Sequence, residues 1–256
     1  MRPREAFRLA LLLLAAGLGS RGLAAGQDHW EAEVRTDISA VSINATDTTW
    51  WGNRVDVRYG DLHHDLYYLS GDVEHRGSDT NGNVLAGAYL RRGNWFYFGE
   101  ARGGPDTTFL PRFGIEGQAA YLVHHTLFAA DYRFIDFQST NVHLGALSAT
   151  QSFAWGEAEL RLVLGWNVSE DAPIRAGIFR ALWFVAPGWR VGGGAAYGTR
   201  IFDVIAVETA SKQGWTAYAS ASREIGSGQL RLDFAYSREG DGFRQVGGAL
   251  SYRRSF

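Results

Sequence analysis

The sequence predicts an all-β chain, a transmembrane antiparallel up-and-down β-barrel of about 14 strands, with 12 or 16 as alternatives. Three observations predict it. The chain resolves into segments of alternating apolar and polar residues, each about 9 to 13 residues long. A tilted membrane strand needs roughly 9–11 residues, whereas a soluble strand runs to roughly 5–6. The connections between segments alternate between short and long. The tryptophans, nine in all, sit at segment ends.

The start of the chain sets the compartment. Arg2, Arg4 and Arg8 precede the apolar run 9–18, and Gly22-Leu23-Ala24-Ala25 follows. That is the order of a secretory signal peptide, so residues 1–25 are expected to be cleaved and 26–256 to form a single barrel domain. An uncleaved anchor is the alternative, but the run is far shorter than the roughly 20 residues of a spanning helix. There are no cysteines, which excludes disulfides and thiolate metal sites. A net charge of −2 leaves no basic footprint for nucleic acid. Hydrophobic residues are 46% and charged residues 20%. That mixture is ordinary for a soluble protein, and it also fits a barrel in which only every second strand residue meets lipid.

In order, the predicted strands are 29–38, 48–59, 65–75, 82–91, 95–103, 112–122, 126–136, 142–153, 157–168, 174–185, 189–199, 214–224, 229–238 and 244–256. In the first, Trp30, Ala32 and Val34 alternate with Glu31, Glu33 and Arg35. The second sets Val55, Val57 and Tyr59 against Asp56 and Arg58. The third sets Tyr67, Leu69 and Val73 against Asp72 and Glu74. In the fourth, Val84, Ala86, Ala88 and Leu90 share one side. Trp95 and Tyr97 oppose Glu100 and Arg102 in the fifth. Ile115, Ala119 and Tyr121 oppose Glu116 and Gln118 in the sixth, and Phe128, Tyr132 and Phe134 oppose Asp131 and Arg133 in the seventh. The eighth, rich in small residues, is ambiguous in face. The ninth is the cleanest: Ala158, Leu160, Leu162, Leu164 and Trp166 against Glu157, Glu159 and Arg161. In the thirteenth, Leu230, Leu232, Phe234 and Tyr236 oppose Arg231 and Asp233.

With a periplasmic N-terminus, the short connections 92–94, 123–125, 154–156, 186–188 and 225–228 fall on the periplasmic side. The longer ones, 39–47, 76–81, 104–111, 137–141, 169–173 and 200–213, fall outside. Trp30, Trp95, Trp155, Trp183 and Trp189 then mark the periplasmic water line, and Trp50, Trp51, Trp166 and Trp215 the outer one, where indole prefers to lie. Hydrocarbon offers no partner to a free backbone N–H or C=O, at several kcal/mol each. The first strand must therefore pair with the last. That last strand ends on Phe256, with Gly248, Leu250 and Tyr252 on its apolar face and Arg254 placed to reach headgroups. Phe256 is expected to act as an insertion signal, read by the barrel-assembly machinery, for a protein of the bacterial outer membrane surrounded by its lipid.

Residues Gly104-Pro105-Asp106-Thr107-Thr108-Phe109-Leu110-Pro111-Arg112, then Gly114 and Glu116, and later Tyr132-Arg133-Phe134, resemble the central signature of the YaiO-type outer-membrane β-barrel family. Asp106, Phe109, Leu110, Pro111 and Arg112 carry most of it. The likeness in length and layout extends over the mature chain. It implies a Gram-negative outer-membrane barrel, in a family some of whose members accompany machinery that makes and exports surface polysaccharide, so polysaccharide or its synthesis and export proteins become candidate partners. No helical-repeat domain reads ahead of the barrel, which weighs against a two-domain export arrangement. The family supplies no catalytic residues.

The interior is expected to receive Glu31, Glu33, Arg35, Asp56, Arg58, Asp72, Glu74, Glu100, Arg102, Glu116, Asp131, Arg133, Glu157, Glu159, Arg161, Arg231 and Asp233. These signs are mixed. One reading is a self-paired ion network that stiffens a scaffold. The other is a polar passage for sugar or another hydrophilic solute, with no ion preference legible. Residues 105–111, with two prolines, are expected to form a stiff surface cap rather than an inward constriction. An enzyme acting on lipid or lipopolysaccharide is the rival class. It would need a Ser or Asp on His75 or His143, near the outer ends, and no G-x-S-x-G elbow is present. The pairs His63-His64 and His124-His125 read as solvated turn residues rather than metal ligands. Neither cofactor nor metal is expected, and a receptor or purely structural barrel is the third class.

Overall fold

Alternating side chains and the need to pair every backbone group give a closed sheet. The computed structural model describes residues 29–61, 64–104, 108–169, 171–199 and 213–256. The expected signal peptide, Asp106, His63 and nearly all of the 200–213 loop lie outside them. The strands are β1 (His29–Ile43), β2 (Thr46–Gly60), β3 (Asp65–Arg76), β4 (Asp79–Arg92), β5 (Trp95–Gly103), β6 (Phe113–Val123) and β7 (Thr126–Asp136). They continue as β8 (Asn141–Phe153), β9 (Gly156–Asn167), β10 (Ala172–Ala186), β11 (Trp189–Gly198), β12 (Gly214–Ile225), β13 (Gly228–Glu239) and β14 (Phe243–Ser255). Each pairs antiparallel with its sequence neighbours, and β1 closes on β14 from Glu31↔Ser255 to Ile43↔Phe243. No sheet edge remains, as a membrane-spanning sheet requires. The Phe256 N–H donates to the Trp30 carbonyl at 2.8 Å, extending the seam past the last strand residue.

The apolar faces point outward. Leu160, Leu162 and Leu164 of β9 are each more than half exposed. Around them runs a belt of exposed Leu, Val, Phe and Ile far larger than a soluble protein leaves open to water. Aromatic rings collect at the end of this belt where β1 begins: Trp30 lies 4.9 Å from Tyr59, Trp95 4.8 Å from Tyr121, and Phe153 4.8 Å from Trp155. Arg254 places its guanidinium over the Phe256 ring, so the basic residue on the apolar side of β14 sits at a boundary.

Several expectations need correction. The connection 39–47 is not a long loop. β1 and β2 continue past the belt and join through Asn44-Ala45, both at positive φ (49° and 66°). Opposite-handed turns of this kind match the twist of a hairpin. Residues 76–81 likewise shrink to a two-residue turn beginning at Gly77. Trp50 does not belong to the outer aromatic line. It pairs with Ser39 on the inner face, 6.4 Å from the Phe243 ring and beneath the Arg76 guanidinium. Trp51, one residue on, faces out and stacks on His75 at 5.2 Å.

Nor is the interior polar throughout. Ile135, Val142, Leu144 and Ile174 form a small buried core at the outer end of β7–β10, joined by Phe137 and Val163. The 137–140 loop folds onto it: Phe137 N–H donates to the Thr140 carbonyl, and Thr140 Oγ1 donates to Asn167 Oδ1 at 2.5 Å. Water excluded by the loop leaves those wall positions to aliphatic side chains. This resolves the ambiguity of β8, which carries Leu147 outward and Leu144 inward, both in apolar surroundings.

Candidate functional site

Register assigns the inner face strand by strand. Starting from Glu33↔Asp56 and Arg35↔Arg54 on β1–β2, the parity runs through Arg54↔Asp72, Glu100↔Glu116, Glu116↔Arg133 and Ser148↔Arg161 to Asp233↔Ala249. Glu33, Arg35, Arg58, Asp72, Glu74, Glu100, Arg102, Glu116, Asp131, Arg133, Glu157, Glu159, Arg161, Arg231 and Asp233 all lie on it.

The structure brings six of these residues together. Arg58, Glu100, Arg102, Glu116, Arg133 and Arg161 line one cavity of about 460 Å³ with Arg54, Asp56, Leu66, Tyr68, Tyr89, Phe98 and Gln118. Arg35, Arg231 and Asp233 meet elsewhere on the wall, where Asp233 accepts from both arginines at 2.8 Å. Glu159 lies 3.9 Å from Arg180, and Glu74 pairs with Arg76 near the outer mouth.

Five arginines and three acids line the cavity, and every arginine has a carboxylate partner. Arg54 gives Nε and Nη2 to Asp56, Arg58 pairs with Glu33 at 3.0 Å, and Arg102 with Glu100 at 2.5 Å. Arg133 donates to Glu116 at 2.6 Å and Arg161 to Asp131 at 2.8 Å. The second wall is aromatic. Tyr89 and Phe98 lie 4.6 Å apart, and Tyr68 lies parallel to Phe98 at 6.4 Å and donates to Glu100. Gly87 makes this possible, because a Cβ there would lie 2.6 Å from Tyr68 ring atoms. Across the bore, β11–β14 turn mostly small residues inward, among them Gly192, Ala196, Ser220, Gly247 and Ser251.

Sequence reasoning missed Arg54, Tyr68, Tyr89 and Phe98. Parity could have found them: Arg54 is two residues from Asp56, Tyr68 two from Ser70, and Phe98 two from Glu100. In the sequence only charge marks a residue as inward, so the three rings carry no mark of their own.

The 104–112 loop is not a surface cap in its described part. Residues 108–111 turn inward onto the wall. The Asn81 side-chain oxygen accepts from the backbone N–H groups of Thr108 (2.8 Å), Phe109 (2.9 Å) and Leu110 (3.3 Å). Leu110 and Pro111 are buried, and the Arg76 guanidinium lies over the Phe109 ring at 4.4 Å. Arg112 reaches Asp136 at 3.0 Å. One inward-facing carboxamide thus satisfies three backbone donors of the loop.

At the outer lipid-facing rim, His143 Nδ1 meets the Tyr132 hydroxyl at 2.7 Å and His75 Nδ1 meets Thr80 Oγ1 at 2.7 Å. Among the described residues, these are the hydrogen-bond partners of the two rings, and neither is a Ser or Asp. Among the described residues no group of three or more His, Asp or Glu is arranged to hold a metal ion.

Solved structures share this architecture. The outer-membrane protein Omp33 of Acinetobacter baumannii superposes with a TM-score of 0.56 at 14% identity, over 89% of this chain and 99% of its own. The toluene transporter TodX of Pseudomonas putida gives 0.58 at 9% identity, over 91% and 90%. A bacterial polysaccharide outer-membrane secretin gives 0.54 at 12% identity, over 88% and 98%. The fold is that of a bacterial outer-membrane β-barrel. With its exposed apolar belt, the barrel is an integral protein of that membrane. No protein-family model and no curated protein matches the sequence.

Proposed function

We propose that the barrel is a polar passage through the outer membrane for hydrophilic, sugar-like solutes. The observation that carries this is the mid-lumen cavity, with arginine–carboxylate pairs and aromatic rings on one side of the bore and small residues on the other. Charged side chains that line a pore tune what passes. The polysaccharide secretin and the toluene transporter have the same fold, which is compatible with either uptake or export. The YaiO-type resemblance at 104–116 and 132–134 supports an association with surface polysaccharide and with the proteins that make or export it.

Conductance of the purified barrel in a planar bilayer, with and without oligosaccharide, tests this. Stable channels that flicker or close when oligosaccharide is added support the passage. A second reading rests on a different observation. The Asn81-held loop and the Ile135–Ile174 core both occupy the outer mouth, and a barrel filled this way is a scaffold. A silent, ligand-blind bilayer would favour the scaffold.

A further inference from the structure

The charges of the lumen nearly balance in number but not in depth. At mid-lumen each ion pair is layered. The Asp131 side chain is 2% exposed and its partner Arg161 16%; Asp56 is 6% and Arg54 39%; Glu100 is 9% and Arg102 27%. The same order holds for Arg133 over Glu116 and Arg35 over Asp233. A carboxylate on a short stem stays against the wall, and the longer arginine arches over it into the bore. At the mouths the order is mixed: it reverses in Arg76–Glu74 and Arg190–Glu224 and holds in Arg253–Glu31. At the cavity every pair has its arginine nearer the bore.

A solute in the cavity consequently touches guanidinium before carboxylate. Donor capacity remains for it: a guanidinium carries five N–H donors, and Arg54 spends only its Nε and Nη2 on Asp56. Planar N–H pairs of this type match a carboxylate in two-point fashion. Beside the arginines on the same wall, the Tyr89–Phe98 pair offers flat apolar surface, which suits the C–H face of a pyranose ring. The volume is about 460 Å³, within the range of small-ligand pockets.

Building on the passage reading, we infer that this cavity is a binding site for a carboxylate-bearing sugar, a uronic-acid unit of an acidic saccharide. The carboxylate lies among Arg54, Arg102 and Arg133, with the ring against Tyr89 and Phe98. Glu100 and Glu116 act as positioning residues that hold the arginines.

Isothermal titration of the purified barrel in detergent micelles tests the site with three probes: a galacturonate trisaccharide, the neutral galactose trisaccharide and a glucosamine trisaccharide. The acidic probe should bind about tenfold more tightly than the neutral one, as expected for charge-assisted bonds, and the preference should shrink as salt rises. Arg54→Lys keeps the charge beside Asp56 and so the fold, but loses the planar fork. It should weaken uronate binding about fivefold. Phe98→Ala should weaken the acidic and neutral probes alike. Equal affinities for acidic and neutral probes, a preference for the amino sugar, or no binding at all would overturn the site. The passage itself is judged separately by conductance. A silent bilayer with uronate binding removes the passage and keeps the site, whereas a conducting channel blind to uronate does the reverse.

Discussion

Asn81→Ala removes the acceptor that holds the inward loop, and the effect can be worked from the geometry. The side-chain oxygen takes two short backbone bonds, from Thr108 and Phe109 at 2.8 and 2.9 Å, and two longer ones, from the Leu110 N–H and the Thr108 hydroxyl, both at 3.3 Å. At about 1 kcal/mol net for each short bond, loop opening becomes easier by about 2 kcal/mol, or roughly 30-fold. Amide hydrogen exchange reads this directly. Thr108, Phe109 and Leu110 should exchange roughly 30-fold faster in the variant, while the strand amides of β4 and β5 stay protected. Trypsin should also cut more readily after Arg112. Asn81→Asp keeps an acceptor at the same place and should retain most of the protection. If Asn81→Ala left the exchange of those three amides unchanged, the loop would be held by packing of Leu110 and Pro111, and the reasoning from Asn81 would fail.

Other consequences can be checked the same way. Arg161→Met strands the Asp131 carboxylate in the wall and should lower stability by about 3 kcal/mol or more. The double variant with Asp131→Asn should regain most of that loss in urea unfolding followed by tryptophan fluorescence, and identical midpoints for all three proteins would count against the pairing. Ala45→Gly relieves a left-handed residue at φ 66° and should stabilise the β1–β2 hairpin by about 1 kcal/mol, whereas a lower unfolding midpoint would contradict the turn geometry. Deleting Phe256 removes the last backbone bond of the seam, to Trp30, along with its terminal ring. Less heat-modifiable barrel should reach the outer membrane, and wild-type amounts would refute its role in insertion.

The strand count, the strand order and the two faces were legible in the chain, because a side chain two residues on returns to the same side of a strand. That one rule, applied from Glu31 to Arg253, sorts lipid-facing from inward residues without any knowledge of the fold. Backbone chemistry added the closure of β1 on β14. What the sequence did not reveal depends on which side chains and loops come into contact once the strands are in register. Asn81 meeting residues 108–110, Arg76 lying over Trp50, and Ile135, Val142 and Ile174 packing into one core all require the register and packing of neighbouring strands and loops. The relative depth of Arg54 and Asp56, or of Arg161 and Asp131, is likewise absent from any alternation pattern. Parity decides which wall a charge sits on. Only packing in three dimensions decides whether a solute would meet the guanidinium or the carboxylate first, because that depends on how far each stem reaches once its neighbours are in place.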